Sequence, residues 1–173
     1  MDHSHIVTRF DKDLSEIESL LVEMADLVAK QISDSALALQ LGDNQLAKAV
    51  TKNDSKINRL EEKIDDKAIR LIALRQPMAE DLRSAITTLK VSNCLERMGD
   101  YAKTLSYRAR KVDDFSAMKS ILRSITETSE KIINMLNVVM EAYVNRDLNK
   151  AYDAREADQE INDRTDALFR ELL

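Results

Sequence analysis

Glu96 and Asp100 stand four residues apart in Leu95-Glu96-Arg97-Met98-Gly99-Asp100, a spacing that places both carboxylates on one face of a helix. Counting back along that face gives Asn93, Leu89, Ile86 and Leu82, an apolar stripe that turns polar where the acids begin. Two acids brought out of water require a cation or strong hydrogen-bond donors. An oxygen-ligated metal is one answer, so the spacing nominates a divalent or ferric ion, with iron, zinc, magnesium and manganese as the candidates. The plainer answer is a solvated helix face with Arg97 or Lys103 as counter-ion.

Long helices must position these residues. The chain of 173 residues holds one Pro and two Gly, is 44% hydrophobic and 33% charged, and carries a net charge of −5. That balance predicts an all-α protein. No block of Lys and Arg stands apart from acids, which excludes a nucleic-acid footprint. Cys94 is the single cysteine, fits a reducing compartment, and is expected as a buried thiol. Met1-Asp2-His3-Ser4-His5 lacks the basic and apolar segments of a secretion signal, and the uncharged run Ile132–Met140 is too short to span a bilayer. A cytoplasmic protein without a transmembrane segment is expected, with His3 and His5 on a loose terminus.

Apolar periodicity predicts helix one up to Leu41, closed by Gly42, and helix two over 44–75, capped by Asp43 and ended ahead of Pro77. Helix three is predicted from about Met78 to Arg110. Helix four is predicted from a Ser116 cap to about Val144, and Asn145-Arg146-Asp147 turns into helix five. Shifting the chain by 104 positions aligns Asp43, Ala47, Asp54, Ile57 and Asn58 with Asp147, Ala151, Asp158, Ile161 and Asn162. Helices four and five therefore repeat helices one and two. The expected organisation is a complete three-helix bundle over residues 1–111 and a two-helix second repeat over 112–173.

Short connections make helices one to three antiparallel neighbours. Counting outward from the turns near Gly42 and Gln76 brings Gln31, Asp54, Glu96 and Asp100 to one height. Asp54 and Asn58 are thus candidate ligands beside the acid pair, and Gln31 and Asn93 candidate supporting groups. Asp158 and Asn162 are the second-repeat equivalents. No phosphate-cradling glycine loop and no nucleophile–base set is present, so catalysis has no candidate.

Met78-Ala79-Glu80-Asp81-Leu82-Arg83, Leu89-Lys90 and Leu95-Glu96-Arg97-Met98-Gly99-Asp100-Tyr101-Ala102 resemble the PhoU family of bacterial phosphate-signalling regulators, as does Asp54-x-x-Ile57-Asn58-x-Leu60-Glu61 ahead of Gln76-Pro77. The resemblance implies tandem three-helix bundles and metal held by Glu/Asp-x-x-x-Asp, the motif that Glu96 and Asp100 match. Asp54 matches an acidic position of the second helix, Asn58 stands where a carboxylate would complete a motif there, and Thr104 replaces a usual asparagine. It further implies a cytoplasmic negative regulator of the phosphate regulon. Its implied partners are the ATPase subunit of a phosphate ABC transporter and a phosphate-sensing histidine kinase. The alternative is a metal-free helical adaptor. The open groove between helices four and five adds the expectation of a homodimer, in which a second copy covers it.

Overall fold

The computed structural model describes the backbone of residues 3–112 and 118–172, and the side chains of residues 10–112 and 118–171. Five helices follow in order: α1 (His3–Leu41), α2 (Asn44–Arg75), α3 (Ala79–Ala109), α4 (Lys119–Asn145) and α5 (Leu148–Leu172). Among the described residues there is no strand, as the composition predicts. The α1 backbone is already helical at His3, so His3 and His5 belong to a helix start rather than to a loose terminus. The Ser116 cap falls outside the described residues, and α4 follows Met118, which makes no side-chain capping bond.

The repeat is visible in the turns. Gly42 takes φ 64°, and the Asp43 amide returns to the Ala38 carbonyl at 2.9 Å. One repeat length later Arg146 takes φ 54°, and the Asp147 amide returns to the Ala142 carbonyl at 3.0 Å. Asp43 Oδ1 then accepts from the amides of Gln45 and Leu46, and Asp147 Oδ1 from those of Asn149 and Lys150, satisfying orphan donors of α2 and α5 alike. Glycine bears the left-handed geometry without a Cβ penalty, whereas Arg146 bears it at a cost of about 1–2 kcal/mol. Gln76 (φ 47°) and Ala79 (φ 49°) carry the same strain where α2 gives way to α3.

The chain divides into two compact units, one made of the chain up to Val28 with Ser55–Met98, the other of Ala29–Asp54 with everything from Gly99 on. In the first unit α1 supplies Ile17, Leu21, Met24 and Val28, α2 supplies Ile57, Leu60, Ile64 and Leu71, and α3 supplies Ala85, Thr88, Ser92 and Leu95. Helices α1 and α2 are tied by the Lys67–Glu16 pair at 3.0 Å and the Arg75–Asp13 pair at 2.9 Å. In the second unit Leu39, Ala109 and Leu122 form a small core with Leu105, Met118 and Ile125, seating the start of α4 against the ends of α1 and α3. Helices α4 and α5 run antiparallel, with Lys131–Glu160 at 2.7 Å, Arg164–Glu127 at 3.5 Å and a Lys150–Glu141 pair nearest the turn.

The interior face of α3 differs from the expected one. Its buried residues are Ala85, Thr88, Ser92, Leu95, Gly99, Ala102, Ser106 and Ala109, nearly all small, so large side chains of α1 and α2 fill the space opposite. The stripe Leu82, Ile86, Leu89, Asn93 is a flank: Leu82 and Ile86 are 38% and 39% exposed, and Asn93 is exposed. Cys94, expected in the core, is exposed for the same reason, since it sits one residue round from that flank.

Candidate functional site

Three helices meet around Asp54 in the second unit. Its carboxylate is buried at 3% exposure, and the antiparallel counting that places Gln31 opposite it is realised: Gln31 Nε2 donates to Asp54 Oδ1 at 3.0 Å and also to the Gly99 carbonyl at 3.0 Å. Gly99 is needed for that approach, because a Cβ at this buried position of α3 would crowd the amide. Gln31 interrupts the apolar stripe of α1 for this purpose. One side-chain amide thereby links α1 to both α2 and α3.

The other oxygen of Asp54 is met by a cation from α3. Lys103 Nζ lies 2.7 Å from Asp54 Oδ2 and 3.1 Å from Asp100 Oδ1. The hydrogen bond to Asp54, then that to Asp100, raises the Lys103 pKa above its ordinary value, so the amine stays charged. Asp54 and Asp100 do converge, and the charge between them belongs to the protein. Removing Lys103 would leave the buried Asp54 carboxylate without its ionic partner, a loss tempered by the 37% exposure of the lysine side chain.

Glu96 lies in the first unit and is half-buried. It faces Glu61 of α2, whose pKa is raised by burial first and then by the negative charges of Asp65, Glu96 and Glu62. Asp65 is raised likewise, by burial and then by Asp66. Glu61 and Asp65 are functional candidates that the sequence reading passed over. Their signal was present, since Glu61-Glu62-Lys63-Ile64-Asp65 has the spacing of Glu96 and Asp100. Asn58 is half-buried on α2 and Asn93 exposed on α3. Among the described residues no three His, Cys, Asp or Glu side chains come together as a group that could hold a metal ion as they stand.

The second-repeat counterparts stand differently. Asp158 and Asn162 are exposed on α5, and Asn162 Nδ2 donates to Asp158 Oδ2 at 3.1 Å. Ile161 is half-buried, where its counterpart Ile57 is 1% exposed.

The PhoU domain matches this chain twice, over residues 21–109 and 125–173, the second match beginning one repeat length of 104 residues after the first. The chain belongs to the PhoU family. It is 37% identical over 169 residues to the phosphate-specific transport system accessory protein PhoU homolog of Caulobacter vibrioides, covering 98% of this chain and 74% of that protein. The homolog of Clostridium acetobutylicum is 35% identical over 165 residues, covering 95% and 75%. The crystal structure of PhoU from Pseudomonas aeruginosa superposes with a TM-score of 0.88 at 30% identity, covering 94% of this chain and 78% of that one. The phosphate transport system regulatory protein PhoU from Streptococcus pneumoniae gives a TM-score of 0.85 at 26% identity, covering 94% and 76%. The all-α fold expected from the sequence is the PhoU fold, and no described helix is long and apolar enough to cross a membrane.

Proposed function

We propose that this chain is a non-catalytic regulator of phosphate transport, acting in the cytoplasm by binding the ATPase subunit of a phosphate ABC transporter and a phosphate-sensing histidine kinase, with repression of the phosphate regulon as its output. The observation that carries the reading is the similarity to phosphate-specific transport system accessory proteins along 98% of the chain. Exposed side chains on the α3 flank of the first unit, such as Leu82 and Ile86, and, taken separately, on the α4–α5 hairpin of the second, such as Val139 and Tyr152, offer apolar helical faces for partners or a second copy.

Metal binding is the finer part of the proposal, and it rests on two acid groups taken separately. In the first unit the charges of Asp65 and Glu96 help burial to raise the proton affinity of Glu61, and a nearby cation would relieve it. Asn58 and Asn93 flank that group. In the second unit Asp100 and Asp54 converge on one point, backed by Gln31. Oxygen donors of this kind suit magnesium, manganese or iron better than soft ions. A bound ion there would neutralise the acids and stiffen the seam between α2 and α3. The metal-free adaptor is the second reading, favoured by the ammonium of Lys103 already lying between Asp54 and Asp100.

Co-purification of the chain with each candidate partner is the test. Retention of the transporter ATPase subunit or of the kinase is expected, together with derepression of a phosphate-regulon reporter on deletion of the gene. Failure to bind either, with the reporter unmoved, overturns the regulatory reading.

A further inference from the structure

We propose that the outer face shared by α1 and α3 in the first unit is a homodimer interface, in which acids of α1 fit between bases of α3 from a second copy. The inference is independent of the metal reading and of the two partners named above.

From Arg83 to Arg97 every exposed residue of α3 is basic or uncharged, and from Ser15 to Asp26 no exposed residue of α1 is basic. Helix α2, by contrast, exposes Arg59, Glu62, Lys63 and Asp66 in mixed order. Both single-sign stripes face away from α2, whose side chains meet α1 at Asp13 and Glu16 and α3 near Glu96. The side chains of Arg83, Lys90 and Asp26 have no ionic or hydrogen-bonding partner among the described residues, so their charge is available to another molecule.

Level decides what can meet them. Ser92 Oγ on α3 reaches Met24 Sδ on α1 at 3.8 Å, an offset of 68 residues between helices that run the same way, each antiparallel to α2. At that offset Glu18 is level with Ile86, Val22 with Lys90 and Asp26 with Cys94. A two-fold axis along the bundle lays α1 of one copy on α3 of the other at the same level and in the same direction, and it does so twice. Glu18 then enters between Arg83 and Lys90, and Asp26 between Lys90 and Arg97, each acid within about a helical turn of both bases. The seam alternates in sign along its length. Val22 and Ile86, 37% and 39% exposed, add apolar area between the charges. A second copy matches both stripes at once, the self-complementarity an isologous contact requires, whereas an unrelated acidic partner matches only that of α3. Exposed charges with little apolar area make the association weak and sensitive to salt.

Sedimentation velocity on untagged protein is the test. At about 0.03 M salt and roughly 50 µM protein the wild type should sediment as a mixture of the 19.7 kDa monomer and its dimer, and at about 0.5 M salt as monomer. Lys90→Glu and Asp26→Lys should each weaken association at least about ten-fold. Both positions are exposed, so neither variant endangers the fold. Mixed together, the two variants should regain wild-type association, because one seam of the mixed dimer carries both reversals and the other neither. Lys63→Glu, the same charge change on α2, should leave association as it is.

Wild-type protein that stays monomeric up to about 0.2 mM in low salt overturns the proposal. So does a dimer indifferent to both reversals, which puts the second copy on another face. Loss in both variants without recovery on mixing overturns it as well, and an equal loss in Lys63→Glu does so by marking a response to net charge alone.

Discussion

Asp54 and Asp158 occupy the same repeat position, yet one is the buried node of three helices and the other an exposed acid hydrogen-bonded to Asn162. The flanking sequences match and the turns that launch both helices close with the same bonds. What separates them is α3, which supplies the Gly99 carbonyl and Lys103 and covers the groove above Asp54. A polar residue in this fold acquires its chemistry from the third helix rather than from its own. Repeat symmetry in the sequence therefore transfers the backbone and leaves the electrostatics behind.

The largest test of that difference is in the core. Ile57→Ala should cost about 2–5 kcal/mol, because a side chain 1% exposed leaves a cavity, whereas Ile161→Ala should cost about 1 kcal/mol or less from its half-buried place. Denaturant melts of the two variants check this; equal losses would mean that the second groove is covered in solution. Next in size, Asp54→Ala should lose about 1–3 kcal/mol by leaving the Gln31 amide short of an acceptor, and Asp158→Ala should change stability by less than about 0.5 kcal/mol. The same melts report both, and a large effect at Asp158 would reverse the comparison.

The smallest expected effect is a pH response of opposite sign in the two regions. Glu61 is raised in the folded state, so the stability it contributes is fully present below its unfolded pKa and lost as pH rises through the folded value. Glu127 is lowered chiefly by the hydrogen bond from Arg123, and Glu160 chiefly by that from Lys131. Their contribution is present above the unfolded pKa and lost as pH falls through the folded value. Acidification from about pH 6.5 to about pH 4 should then tighten the α2–α3 seam and loosen the α4–α5 hairpin. Amide exchange, corrected for its intrinsic pH dependence, would show it; protection moving in one direction in both regions contradicts the assignment.

The ends of the helices were legible because punctuation is local: Gly42, Asp43, Pro77 and Asp147 act on their own backbone, and each helix end near them falls within a residue or two of the place expected. The level of Gln31 with Asp54 was legible because short turns fix antiparallel register. The face of α3 was not. Hydropathy ranks Leu82, Ile86 and Leu89 above Ala85, Thr88, Ser92 and Ser106, but close packing against large neighbours selects volume, and the small residues went inside. From that reversal came the expectation of a buried Cys94 and of acids breaking a core stripe. Which cation meets Asp54 was open for another reason, since Arg97 and Lys103 are equally near Asp100 in sequence and only the turn of α3 separates them.

A helix whose inner face is built from Ala, Ser, Thr and Gly has few protrusions, and smooth surfaces slide. Bundles ordinarily set the axial position of a helix by large side chains seated between those of its neighbours. Along α3 that mechanical indexing is thin, and the Gln31 amide, gripping the Gly99 carbonyl with one hydrogen and Asp54 with the other, acts as a detent. Without it the axial register of α3 would rest on the Lys103–Asp54 ion pair and on the few larger side chains, such as Leu95, that the helix buries.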